Sequence, residues 1–285
     1  MSKNQGQAWL EKQTEKFVRD MFKELEKKSK VIDRDYQRLQ NDLIASVSAY
    51  FQEYSQNGEI TQPMLYQMRL MELSQQLGAR LTELGYEHNE LLNKVLEEFH
   101  NEAIQFHSDI LSNAEEYGLD LDFYKANIPA IELASAYPYQ KYDFVIALNK
   151  QTARVGRKIN ELLMRHIATG QTIPQLTKEI QEACNMGRFF ARRIATTETS
   201  RVYNTATIQR YKGAGVSHFK WLDSTEAINR SKRSGKSPVC SPCREKATHN
   251  NGIYEASELP PLPLHPHCRC TVIAHSFEAE QQSLF

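Results

Sequence analysis

From Ile32 the apolar residues recur at Tyr36, Leu39, Leu43, Val47, Tyr50 and Tyr54. Steps of three and four put these residues on one helical face, so the spacing predicts a helix over 8–56. Asn57-Gly58 supplies a stop and a turn, and Thr61 with Pro63 restarts a helix. A second stripe begins at Leu70 and passes through Leu77, Leu84, His88, Val95, Phe99 and Phe106 to Ile110, ending near Tyr117-Gly118. Gly78 and Gly85 fall inside it, and each costs about 1 kcal/mol relative to alanine, so local loosening is expected there. Residues 1–118 thus read as a long helical arm or hairpin. A lone hairpin of that length buries little core, which favours packing against a partner.

The pattern then changes. Residues 119–142 carry aromatics, two prolines and mixed periodicity, and read as a packed connector too apolar to be disordered. Residues 143–215 predict three short helices. Val145, Leu148, Val155, Ile159, Leu162 and His166 mark the first, which Gly170 ends. Thr172-Ile-Pro-Gln175 is a capping-box pattern opening the second, and Asn185-Met-Gly187 is expected to break it. The third runs from Arg188 to Tyr211 and stops at Gly213-Ala-Gly215. Residues 216–222 alternate like a strand, and Ile253-Tyr254 and Arg269–Ala274 are further strand candidates. The expected fold is mainly α, with long N-terminal helices, a small C-terminal α+β module over 216–275 stapled by zinc, and a loose tail over 276–285.

Composition sharpens this division. The 285 residues carry 35 Lys+Arg against 35 Asp+Glu, so the chain is neutral as a whole. Yet 1–118 is acidic and 150–212 strongly basic, so the basic stretch can meet phosphate or an acidic protein surface. No run of apolar residues is long enough to span a bilayer, and the N-terminus has no apolar core like a signal peptide. These features predict an intracellular chain with no membrane partner. No GxxxxGK[ST], GxGxxG, GxSxG or HExxH motif occurs, and no enzyme activity or small-molecule substrate is expected.

Four of the five cysteines fall between 240 and 270. Cys240-Ser-Pro-Cys243 is a knuckle that turns two thiolates toward one point. Cys268-Arg-Cys270, on a strand, would put both sulfurs on one face. Together they can supply the tetrahedral set of a structural zinc ion, with His265 able to replace one cysteine, so the ligands are four of Cys240, Cys243, Cys268, Cys270 and His265. Disulfides and plain buried thiols are the competing states of the same residues. A catalytic metal would need an upstream H-x-E, and His218-Phe219-Lys220 lacks the glutamate. Residues 216–275 hold few large apolar side chains, so a metal can replace core that the segment lacks. Cys184, alone on a helical face, reads as core.

Glu198 stands among bases, with Arg201 in reach at i+3. It reads as a structural ion pair that locks its helix to a neighbour. The remaining cations, Arg154, Arg157, Lys158, Arg188, Arg192, Arg210 and Lys212, with Lys232, Arg233 and Lys236 of the following loop, are candidates for contact with DNA phosphates or a partner protein.

The order of these elements is distinctive: Arg193-Ile-Ala-Thr-Thr-Glu-Thr-Ser-Arg201, then Gly215, a short strand ending Trp221-Leu-Asp223, the CxxC, and Pro260-Pro-Leu-Pro-Leu-His-Pro-His-Cys-Arg-Cys-Thr271. Over roughly 143–275 it resembles the phage head morphogenesis or minor head protein family typified by phage Mu protein F. His267 stands where that family usually has Asn, and the 223–239 loop is longer and more basic. The resemblance implies a virion protein inside the phage head, assembled in the host cytoplasm. It would be associated with portal or capsid proteins and act in head assembly or DNA packaging and delivery. Two rival readings are a sequence-independent DNA-binding protein using 150–246 and an injected effector enzyme.

Overall fold

The structure, a computed structural model, describes residues 3–114, 116, 117, 119, 144–224 and 241–275. Most of the expected connector, Cys240, Lys232, Arg233, Lys236 and the tail lie outside the described residues. The fold is mainly α, with long N-terminal helices and a small C-terminal sheet. Helix α1 covers Lys3–Tyr54, a two-residue pairing of β1 (Ser55–Gln56) with β2 (Glu59–Ile60) makes the turn, and α2 covers Pro63–Ser112. Helices α3 (Phe144–Thr169) and α4 (Ile173–Gly213) follow. Strand β3 (His218–Leu222), the short helix α5 (Ser241–Thr248), β4 (Ile253–Glu255) and β5 (Thr271–Ala274) complete the chain. Among the described residues no helix is long and apolar enough to cross a membrane.

The chain divides into two compact units, one drawn from Met1–Glu26, Lys94–Lys141 and Thr196–Phe285, the other from Lys27–Asn93 and Tyr142–Ala195. In the second unit α1 and α2 fold back on each other across the turn. Asn57 and Gly58 take the positive φ values of 52° and 83° that the reversal requires. His88 of the apolar stripe is buried there and meets Asp35 at 3.1 Å. Helix α3 runs antiparallel to α2: Tyr66 Oη lies 2.6 Å from His166 Nε2, Ser74 Oγ donates to Asn160, and Asn89 Nδ2 donates to Asn149.

The break expected at Asn185-Met-Gly187 fails in this unit. The three short helices expected over 143–213 are two, because α4 continues through Asn185-Met-Gly187. Helix α2 likewise passes Gly78 and Gly85 unbroken. Tertiary contact overrides the local cost of glycine. A Cβ on Gly187 would come within 2.7 Å of Tyr36 Cε1, and one on Gly85 within 3.2 Å of Asn149 Oδ1, so both glycines serve close helix approach. Gly78 differs, since a Cβ there meets nothing within 4 Å. Gly187→Ala should therefore destabilise by a net of about 1–2 kcal/mol through overpacking, whereas Gly78→Ala should stabilise by up to about 1 kcal/mol. Urea denaturation of the two variants tests the opposite signs. The capping box holds: Thr172 N–H donates to Gln175 Oε1 at 3.2 Å.

In the first unit the three-stranded sheet has order β4-β3-β5, antiparallel throughout, with Phe219 opposite Tyr254 on one side and Ala274 on the other. The strands are shorter than their sequence patterns, since β3 starts at His218 and β5 at Thr271. The sheet does not rest on itself. Phe219, Trp221, Val272 and Ile273 pack in one core with Leu10 of α1, Ile110 and Leu111 of α2 and Tyr211 of α4. Lys220 Nζ donates to Glu11 at 2.6 Å, and Gln7 donates to the Ala274 carbonyl at 3.3 Å. This corrects the expectation that a metal replaces the core that 216–275 lacks. The helix ends provide it.

Candidate metal centre

Three side chains from two stretches of the first unit converge. Cys243 sits in the first turn of α5, so what reads as a knuckle is completed by a helix start. His265 and Cys268 come from the proline-rich segment before β5. Its turn is closed by Cys268 N–H donating to the His265 carbonyl at 3.1 Å and by His267 at φ 63°. That left-handed conformation suits few side chains, Asn being the usual non-glycine choice and His a less frequent one. The ligand atoms of Cys243, His265 and Cys268 all lie within 4.8 Å of one another.

The geometry fits a metal ion. Cys243 Sγ lies 3.8 Å from Cys268 Sγ. That is the edge of a tetrahedron whose thiolates stand at ~2.3 Å from zinc, and far beyond the ~2.0 Å of a disulfide. His265 Nδ1 donates to the Pro266 carbonyl at 2.8 Å. Its Nε2 lone pair is thereby left to face Cys243 Sγ, 3.1 Å away. A ring held by one nitrogen while the other points at the site is how ligating histidines are oriented. The Cys268 thiol is held far below its usual range, first by hydrogen bonding from Cys243 and then from Cys270. Hydrogen bonding with Cys243 lowers the Cys270 thiol, but hydrogen bonding with Cys268 first and burial second push it the other way. The cluster thus favours a thiolate even without an ion.

Cys270 is also buried, but it does not join the three-residue ligand set. It also precedes β5, so the expected CxC on a strand is instead a turn-to-strand entry. Cys184 is buried in the other unit, where burial pushes its thiol up to about 11. The described cysteines are all free thiols.

Helix α4 holds the cysteine segment. Thr197 Oγ1 accepts from the His267 N–H at 3.1 Å, and Asn204 Nδ2 donates to the Cys270 carbonyl at 3.1 Å. Sequence reading missed Asn204. Its signal is a polar residue seven after Thr197, which puts the two on one face of α4. Glu198 is paired with Arg201 at 3.0 Å, and burial raises its carboxyl pKa. Its other oxygen, Oε2, is buried without a hydrogen-bond partner among the described residues. Asp223 is also buried with a raised pKa, and its partner is Arg244 at 3.4 Å.

The basic residues divide. Arg192 pairs with Asp33, Lys158 with Glu161, and Arg188 donates to Gln37 and Asn185. Arg154 lies over the Phe190 ring at 5.9 Å and is exposed, as are Arg157 and Lys212. Arg210 corrects the sequence reading, because it is only 1% exposed and its Nε donates to Ser108 at 2.7 Å. It lies on the helix face that packs against α2, where no phosphate can reach it.

Residues 157–273 match the family model described as Phage Mu protein F like protein. The match takes in the second half of α3, all of α4, the cysteine cluster and nearly all of the sheet. This supports the resemblance read from the sequence: over 157–273, less than half of its length, the chain is similar to the phage Mu F-like family. No curated protein and no solved structure matches the chain.

Proposed function

We propose that the protein is a structural minor component of a phage head, bound at the portal vertex inside the capsid, where it acts in head assembly or DNA delivery. In this reading it is not an enzyme, and its Cys243–His265–Cys268 cluster holds a structural zinc ion. The observation that carries the proposal is the coincidence of the Mu F-like match with that cluster, in a chain whose remaining length is mostly long helix. Long helices with a small anchored module suit a protein that docks on a large ring, since helix faces offer extended contact at little cost in folding entropy. The zinc ion, where bound, fixes the proline-rich segment on α4 through Thr197 and Asn204. The decisive experiment mixes the purified protein with assembled portal rings from the same phage and sediments them. Co-sedimentation at a fixed, saturable stoichiometry is expected. A protein that stays in the supernatant at every concentration and salt would remove the portal reading.

A further inference from the structure

In the second unit, α2 and α3 enclose between them an open cavity of about 660 Å³. Its floor is Leu77 and Leu81, and small residues, Gly78, Ala153 and Gly156, leave its wall close to backbone. The walls extend as heptads. Met64, Met71, Gly78 and Gly85 recur every seventh residue on α2, as do Ile146, Ala153 and Asn160 on α3. The ends of these stripes carry large apolar side chains in water: Met64 is 76% exposed and Ile146 67%. Tyr86, 68% exposed, lines the cavity itself. Seven-residue spacing is the repeat of helix packed on helix, and methionine is suited to a surface that adapts to an incoming chain.

Gly78 gives the independent argument. Glycine is among the least favourable residues in a helix interior. Gly85 and Gly156 have a reason to be small, because a Cβ would meet Asn149 Oδ1 at 3.2 Å and Leu81 Cδ1 at 3.0 Å respectively. At Gly78 nothing among the described residues comes within 4 Å of a Cβ, so the described fold gains nothing from the glycine. Room for close backbone approach there suits an incoming helix that the described residues do not supply.

Charge decides what that is. Arg157 lines the cavity and has no acidic partner among the described residues. With Lys150 and Arg154 it forms an edge of exposed cations at steps of four and three along α3. A second copy docked about a two-fold axis that crosses the groove would bring this edge against its own image, which like charges oppose. We propose that the α2–α3 groove receives an amphipathic α-helix of a partner protein, with its apolar stripe against Leu77, Gly78 and Leu81 and an acidic edge beside Arg157. Met64 to Gly85 spans about 30 Å of helix, room for roughly six turns of partner. The proposal goes beyond the portal reading and does not depend on the metal.

The probe is a designed helical peptide of about 22 residues, with leucines at three- and four-residue steps and glutamates on both flanks. A second peptide carries lysines in place of the glutamates. Fluorescence anisotropy with the full-length protein should show the Glu peptide bound and the Lys peptide not. Gly78→Leu should fill the groove and weaken binding roughly tenfold or more, while circular dichroism shows an unchanged helix content and no lower melting temperature. Arg157→Glu should shift preference toward the Lys peptide. Equal binding of both peptides, binding of neither, or full binding by Gly78→Leu would overturn the proposal. So would a concentration-dependent dimer that Gly78→Leu dissolves, or a DNA duplex that binds in place of the Glu peptide and is lost in Arg157→Glu.

Discussion

Cys268→Ser should strip the metal and loosen α5 and the segment from 256 to 270, while the three-stranded sheet and the long helices keep their structure. The cluster ties together the two parts that the sheet does not hold: α5 is two turns long, and the segment from 256 to 270 has no regular secondary structure, whereas β4 between them is paired with β3. Structural zinc contributes ~10–16 kcal/mol in small peptides. Losing even about 4 kcal/mol of local stability accelerates amide exchange roughly a thousandfold. Hydrogen exchange should rise across 241–252 and 256–270 and stay slow in Phe219–Trp221, Tyr254 and Val272–Ile273, whose core is shared with Leu10, Ile110 and Tyr211. Far-UV circular dichroism should barely move. Cys184→Ser, a change in the other unit, should keep the full metal content. If elemental analysis of protein purified under reducing conditions finds no zinc, or if Cys268→Ser leaves exchange unchanged, the metal reading fails.

This localised outcome differs from what the sequence suggests, and the difference shows where sequence reading stops. Counting apolar residues within 216–275 gives a module too poor to fold alone, and the count is correct. It leaves out that Leu10, some 200 residues earlier, and Tyr211 of α4 lie against Trp221 and Phe219. Local periodicity carries no information about such pairings. The long helices were legible because an apolar stripe at steps of three and four is a property of the chain itself. The break expected at Gly187 fails because its justification, the Tyr36 ring, comes from a different helix. The cysteine and histidine set was legible from chemistry, since few other roles gather such residues around a proline-rich turn. Which of them converge was not, because Cys243 and His265 meet only through the fold. Charge was the least informative: the seven candidate cations from Arg154 to Lys212 look alike in sequence, but Arg192 and Lys158 are paired and Arg210 is buried.

Stability should fall by several kcal/mol as the pH drops from about 6.5 to about 3, and much of the loss should trace to His107. That ring is fully buried in the first unit and faces Tyr203, Tyr211, Thr207 and Arg210. Thr207 Oγ1 donates to the Tyr203 carbonyl at 2.9 Å. Its oxygen is then free to accept from His107 Nε2, also at 2.9 Å, while Nδ1 accepts from Tyr211 Oη at 2.9 Å. The network is satisfied with a neutral ring. A second proton would place a cation in the core with no carboxylate among these partners and Arg210 nearby. Burial first, and Arg210 second, lower the pKa from 6.5 to about 3. In the unfolded chain the same histidine binds its proton near 6.5. The unfolded state therefore takes up protons that the native state refuses. Stability is full above pH 6.5 and declines steadily below it, by on the order of 4–5 kcal/mol when pH 3 is reached. Burial lowers His88 and His166 in the same direction, and raises Glu198 and Asp223, which act oppositely. A paired comparison isolates His107. His107→Gln keeps one donor and one acceptor, costs about 1–3 kcal/mol at pH 7, and has no proton to bind. Urea unfolding at a series of pH values should show a steep acid limb in the native sequence and a flatter one in the variant. Parallel limbs, or a His107 ring resonance that titrates near pH 6.5, would show that the ring reaches solvent and that the network does not hold it neutral.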